Sequence, residues 1–163
     1  MPGEVIVGTR VPEVQLGFMQ DGLIQKVSAG QVFSHSRSVV LGVPGAFTPV
    51  CSLQHVPDYI QSASALISAG FDQLICIAPN DPFVVEEWRR MVDPQSRIRF
   101  LSDGNLEFCK ALGLTMPRRD MFLGHRSERY MLIIADQIIQ RLRVEEDIEC
   151  YTCTRAADAI ILA

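Results

Sequence analysis

Between Val39 and Ser68 the sequence leaves little freedom of fold. Val39-Val40-Leu41-Gly42-Val43 is a short apolar run that reads as a buried strand. The octapeptide Pro44-Gly45-Ala46-Phe47-Thr48-Pro49-Val50-Cys51 follows directly. Thr48 is a good N-cap and Pro49 a good first helical residue. A helix is therefore expected from about Pro49 to Ser68, stopped before Gly70 and kinked near Pro57. Cys51 then lies in the first turn, near backbone N–H groups without intrahelical partners and the positive end of the dipole. A thiol there loses its proton more readily than a free one, whose pKa is about 8.5. The segment is suited to a reactive thiolate.

The rest of the chain alternates strands with helices. Val14–Phe18 and Leu23–Val27 read as strands joined through Gln20-Asp21-Gly22 as a hairpin, and Ser28 caps a short helix through Phe33. Leu74–Ala78 is a second buried strand. Asn80-Asp81-Pro82 opens a helix through about Met91. A short strand at Ile98–Leu101 and a short helix at Asn105–Leu112 follow. Tyr130–Ala135 and Ile138–Val144 are strands with a tight turn at Asp136-Gln137, and Thr154 is the expected cap of a last helix through Leu162. This order implies an α/β fold with a mixed central sheet and helices on both faces, compatible with a thioredoxin-like fold.

The 163 residues suggest one domain, spanning 1–163, able to bury roughly 70% of its unfolded surface without disulfide or metal. A net charge of −4 gives no reason to expect nucleic acid or an anionic membrane as partner. No apolar run reaches the roughly 20 residues of a membrane span, and Met1-Pro2-Gly3-Glu4-Val5 has no basic or long apolar export signal. The five cysteines (51, 76, 109, 150 and 153) are odd in number and irregular in spacing. They favour reduced or catalytic thiols, and a cytoplasmic location, over a disulfide framework.

Several elements in order resemble the peroxiredoxins. Pro44-x-x-x-Thr48-x-x-Cys51 is similar to their peroxidatic motif. The longer string from Val43 to Ser52, with His55-Val56-Pro57 after it, resembles the type II (peroxiredoxin-five) subfamily. Cys76, Asn80-Asp81, Trp88 and Arg126-Ser127-Glu128-Arg129-Tyr130 continue the match over nearly the whole chain. Two positions depart. The subfamily usually has Gly where Asp58 stands, which bears on a dimer edge or helix packing. It usually turns its terminal hairpin through Asp-Gly where Asp136-Gln137 stands, which is expected to change the turn's geometry.

The resemblance implies a thiol peroxidase that reduces hydrogen peroxide and organic hydroperoxides. It implies no cofactor, and an external thiol, from thioredoxin or from glutaredoxin with glutathione, as reductant. Cys51 is the implied nucleophile, oxidised to sulfenic acid. Thr48 caps the helix, hydrogen-bonds the peroxide and sulfur, or does both. Pro44 shields the sulfur from water, or simply ends the strand. Arg129 aligns with the active-site arginine, ahead of Arg126, while Arg118 and Arg119 are further arginines nearby. Gly45 and the Cys51 N–H contribute close approach and a donor. Phe47 and Phe122 form an apolar collar or pack in the core; His55 is structural. The subfamily also implies a homodimer.

The resolving thiol is less determined. Cys153 follows Arg129 at the spacing where some type II members carry a resolving cysteine, in a segment able to move. Cys76 also matches a family position but sits in an apolar strand, and Cys109 reads as packed. Cys150-Tyr151-Thr152-Cys153 is a Cys-x-x-Cys preceded by acids that raise its thiol pKa, without the second ligand pair a zinc site needs. An external thiol remains open. Two other readings compete: a peroxide sensor that oxidises without cycling, and a disulfide oxidoreductase using Cys150 and Cys153.

Overall fold

The computed structural model describes residues 6–163; the reading of Met1–Val5 as lacking an export signal lies outside them. Seven strands form one mixed sheet in the order β2-β1-β5-β4-β3-β8-β9. They are β1 (Gln15–Gln20), β2 (Leu23–Ser28), β3 (Arg37–Gly42), β4 (Gln73–Ala78), β5 (Arg99–Ser102), β8 (Tyr130–Ala135) and β9 (Ile138–Val144). β3, β4 and β5 run parallel; the other neighbours are antiparallel. A two-stranded ribbon, β6 (Thr115–Arg118) with β7 (Gly124–Ser127), stands apart.

The central strands are apolar at successive positions because both faces are covered. Val39, Leu41, Cys76, Ala78, Met131 and Ile133 face one packed layer with Tyr59, Leu66, Trp88 and Ala159. Val40, Ile75, Ile77, Leu132 and Ile134 face another with Val32, Phe33, Phe108 and Cys109. Thus α2 (Val56–Gln61), α3 (Ala63–Ser68), α4 (Pro82–Val92) and α6 (Ala156–Leu162) cover one side, and α1 (Ala29–Phe33) and α5 (Glu107–Ala111) the other. Gly42 is required where β3 passes β8, since a Cβ there would lie 2.0 Å from the Tyr130 ring. Among the described residues no helix is long and apolar enough to cross a membrane.

Local chemistry sets most element ends. Ser28 accepts from the Gln31 N–H and Asp81 from the Val84 N–H, each as an N-cap. Asp21 and Gly22 both have positive φ, as a two-residue hairpin turn of right-handed twist requires. Asp136 and Gln137 do the same at φ 44° and 71°, so Gln137 in place of glycine leaves the turn type unchanged, against expectation. Tertiary bonds hold it there. The Gln137 N–H donates to the Phe33 carbonyl (3.0 Å), and its side-chain oxygen accepts from Arg10 (2.8 Å).

Two further expectations need correction, and one element goes beyond them. The helix expected over 49–68 is interrupted. It begins at Pro49, widens into a π-type turn at Cys51–His55, continues as α2 and breaks again at Ser62. Pro57 has no N–H for the carbonyl four residues back, so the backbone widens just before it. The Val56 N–H reaches the Cys51 carbonyl instead. Thr154 does not cap the last helix, which starts at Ala156 after Arg155; its hydroxyl donates to Glu145 (2.9 Å). The β6/β7 ribbon was not expected, because Pro117 and a run of charges hide any alternation.

Candidate active site

The site forms where β3 ends and the chain turns into the helix carrying Cys51. Three contacts fix this turn. The Ser127 hydroxyl donates to the Val43 carbonyl (2.9 Å), Arg126 to the Pro44 carbonyl (3.4 Å), and the Ala46 N–H to the Asn80 side-chain oxygen (2.8 Å). Gly45 permits the close pass, since a Cβ there would sit 2.6 Å from Arg126 Nη1. The Thr48 hydroxyl donates to the Gly45 carbonyl at 2.7 Å, and the Thr48 backbone carbonyl accepts the helical bond from the Ser52 N–H (3.0 Å). Downstream, Ser52 accepts from the Trp88 indole N–H (2.9 Å), tying the wide turn to α4.

Cys51 is fully buried, and so is the cation beside it: Arg129 is 1% exposed. Arg129 Nη2 donates to Cys51 Sγ at 3.3 Å. Three other bonds aim the guanidinium. Nε and Nη2 both donate to the Ile148 carbonyl (3.2 and 2.8 Å), and Nη1 lies 3.0 Å from His55 Nδ1. Arginine only donates, so Nδ1 accepts and the neutral ring carries its proton on Nε2. Burial, and then the Arg129 charge, hold the His55 imidazole well below its ordinary pKa. His55 is therefore more than core filling: it orients the arginine.

The neutral His55 links stability to pH. Its folded pKa is depressed, so below about pH 6.5 the unfolded chain binds the proton that the folded chain excludes, and acid favours unfolding. Stability is expected to fall between pH 7.5 and 5 by up to about 1.4 kcal/mol per unit below the unfolded value. Urea midpoints at the two pH values should differ less in His55→Gln, which keeps an acceptor for Arg129 but cannot titrate.

The other candidates are placed as follows. Pro44 is buried beside the turn. Phe47 and Phe122 are not core residues: they are 48% and 96% exposed, both with positive φ. Arg118 pairs with Asp120 and Asp147, away from the sulfur. Cys76 packs in the same apolar layer as Cys51, and burial, then proximity to Cys51, push its thiol well up. Cys153 Sγ donates to the Val144 carbonyl (3.4 Å), and burial and the Glu145 carboxylate raise its pKa. All five cysteines are free thiols. No group of three or more His, Cys, Asp or Glu among the described residues has metal-holding geometry. A cleft of about 540 Å³ lined by Met19, Leu74, Arg89, Arg97 and Phe100 includes neither Cys51, Thr48 nor Arg129.

Sequence reasoning did not find Asn80, Ser127 and Glu145 in these roles, nor the Ile148 carbonyl. Asn80 and Ser127 have partners 34 and 84 positions away, Glu145 reaches residues seven to nine positions on that no local pattern marks, and a backbone carbonyl leaves no mark in sequence. Glu145 is the most committed. Its buried carboxylate accepts from the N–H groups of Thr152, Cys153 and Thr154 (2.7, 2.8 and 3.0 Å) and from both threonine hydroxyls (2.9 Å each). Burial opposes its ionisation, but those hydrogen bonds win and hold it below the usual carboxylate value.

The chain is similar to known proteins over nearly its whole length. A family model described as Redoxin matches residues 6–160. Peroxiredoxin-2B of Arabidopsis thaliana is 35% identical over 157 residues, 96% of each chain. The structure of reduced Prx3 from Vibrio vulnificus in complex with H2O2 aligns with a TM-score of 0.90 at 31% identity, over 96% of this chain and 94% of that one. Peroxiredoxin 5 from Alvinella pompejana aligns at 0.84 and 29%, over 95% of each chain.

Proposed function

The chain belongs to the Redoxin family, and from that premise we propose that Cys51, Thr48, Arg129 and Pro44 are the catalytic group of its single domain. It is a peroxiredoxin, a thiol-dependent peroxidase that reduces hydroperoxides. The observation that carries the residue assignment is the buried Arg129 guanidinium 3.3 Å from the Cys51 sulfur.

Peroxide reduction is a displacement on oxygen. The Cys51 sulfur attacks the near oxygen and the O–O bond breaks. The far oxygen leaves with the electron pair and is protonated to water or an alcohol. Arg129 holds negative charge on sulfur before attack and donates toward the oxygens during it. The Thr48 hydroxyl, already spent on Gly45, offers its lone pairs to the proton of the peroxide and re-aims its own proton as the substrate binds. Pro44 keeps water from the sulfur, and Gly45 and the Cys51 N–H supply room and a donor in the first turn. Phe47 and Phe122, both exposed, form the apolar border for alkyl peroxides.

The sulfenic acid is then resolved by Cys153 or by an external thiol from thioredoxin or glutathione with glutaredoxin; the enzyme needs no cofactor. Free cysteines throughout suit a reducing compartment, the cytoplasm. Exposed Phe47 and Leu53 near Cys51 suit contact with a second copy in a homodimer. A Cys150–Cys153 oxidoreductase is disfavoured by the raised Cys153 thiol.

Intact mass spectrometry after one equivalent of hydrogen peroxide tests the assignment. In Cys153→Ser the chain gains one oxygen, and peptide mapping places it on Cys51. Loss of two hydrogens in the parent chain marks an internal disulfide; a glutathione adduct marks the external route. Oxygen found on another cysteine, with Cys51 unmodified, refutes the reading.

A further inference from the structure

Asp58, where the type II pattern has glycine, has a defined job here. Its carboxylate oxygen Oδ2 accepts from the Tyr151 phenol and from the Ala156 N–H (2.8 Å). It sits on α2, one turn after His55, and so ties the helix of the active site to the segment 147–155. The same segment touches the site twice more. Its Ile148 carbonyl receives two bonds from Arg129, and the Tyr151 ring lies 5.1 Å from the His55 ring. The segment also carries Cys150 and Cys153. Behind it, the Glu145 carboxylate binds the N–H groups of residues 152–154. Clasped this way, the segment supplies the acceptor that aims Arg129 at Cys51, while the Cys153 thiol is turned to the Val144 carbonyl.

We propose that Asp58 and Tyr151 are positioning residues of the catalytic cycle: their clasp keeps the 147–155 segment closed for peroxide reduction, and its opening admits Cys153 to the oxidised Cys51. This rests on the peroxidase reading. In the resolving step the Cys153 thiol gives up its proton and its sulfur attacks the sulfur of the Cys51 sulfenic acid. The S–S bond forms and the S–O bond breaks. Hydroxide leaves and takes the proton as water, so Cys153 is oxidised and Cys51 reduced by one electron each, both ending at the disulfide level. The proton and the orientation are both wrong in the closed segment. Burial and Glu145 keep the thiol protonated, and at least the Glu145 bond to the Cys153 N–H must be released before the sulfur can leave Val144.

Rapid quench and intact mass spectrometry separate the two steps, since oxidation adds one oxygen and disulfide formation then removes the elements of water. Tyr151→Phe deletes the phenol and keeps the ring on His55; Asp58→Ala deletes both bonds. The rate of the second step is expected to rise about tenfold in each, the scale of one lost hydrogen bond to a charged group. Asp58→Asn, which retains an acceptor for Ala156, should fall between Asp58→Ala and the parent. The product should map to Cys51 and Cys153 and vanish on adding Cys153→Ser. An unchanged or slower second step in both variants, or a disulfide without Cys153, overturns the clasp while leaving the peroxidase reading intact. Failure of Cys51 to take up oxygen in Cys153→Ser overturns both.

Discussion

Cys51→Ser is expected to lose hydroperoxide turnover by on the order of 10⁴-fold or more, the scale at which enzymes lose an essential nucleophile. The site offers no substitute. Cys76, which packs in the same layer, has its thiol pushed well up by burial in β4. Cys153 is held by Glu145 and turned to Val144. Serine is close to cysteine in size, and at a fully buried position flanked by Arg129 it finds a donor, so the fold should survive. The measurement is peroxide consumption with excess thiol reductant, beside a thermal melt of the same sample. Turnover near the parent rate in a folded variant would remove Cys51 from the mechanism.

Arg129→Lys should slow oxidation of Cys51 by about 100-fold, the cost of removing a donor aimed at developing charge. The guanidinium serves three acceptors at fixed angles: Cys51 Sγ, the Ile148 carbonyl and His55 Nδ1. One ammonium cannot reach all three, and its charge is not held in a plane. Whichever acceptor is abandoned is buried, so the variant should also lose about 1–3 kcal/mol of stability. The second-order rate of oxidation, read under single turnover, checks the first effect and a denaturant titration the second. A rate within a few-fold of the parent would mean that the contact to sulfur is incidental.

The parts of the molecule that follow from neighbouring residues were legible in the sequence. Apolar runs at 39–43 and 74–78 became β3 and β4, and Asp81 with Pro82 became the start of α4, because burial and capping act within a few residues. Cys51 in the first turn followed from Thr48 and Pro49 in the same way. What escaped depends on partners that the local pattern does not name. Thr48 and Thr154 both look like caps, yet their hydroxyls go to Gly45 and Glu145. Gln137 takes a conformation that favours glycine because Arg10 and Phe33 hold it. His55 looked structural from sequence because its partner, Arg129, lies 74 positions away.

The widened backbone at Cys51–His55 absorbs a change of length as well as of identity. A regular α-helix turns about 100° per residue, so one surplus residue would rotate everything after it by about that angle if the wide turn did not take it up. Leu53 and Gln54 point to solvent and tolerate exchange. Deleting either would turn the Val56-to-Cys51 bond into an ordinary four-residue helical one and leave His55 and Asp58 on the faces from which they meet Arg129 and Tyr151. In a lineage of such chains, this stretch is free to drift in spelling and by one residue in count.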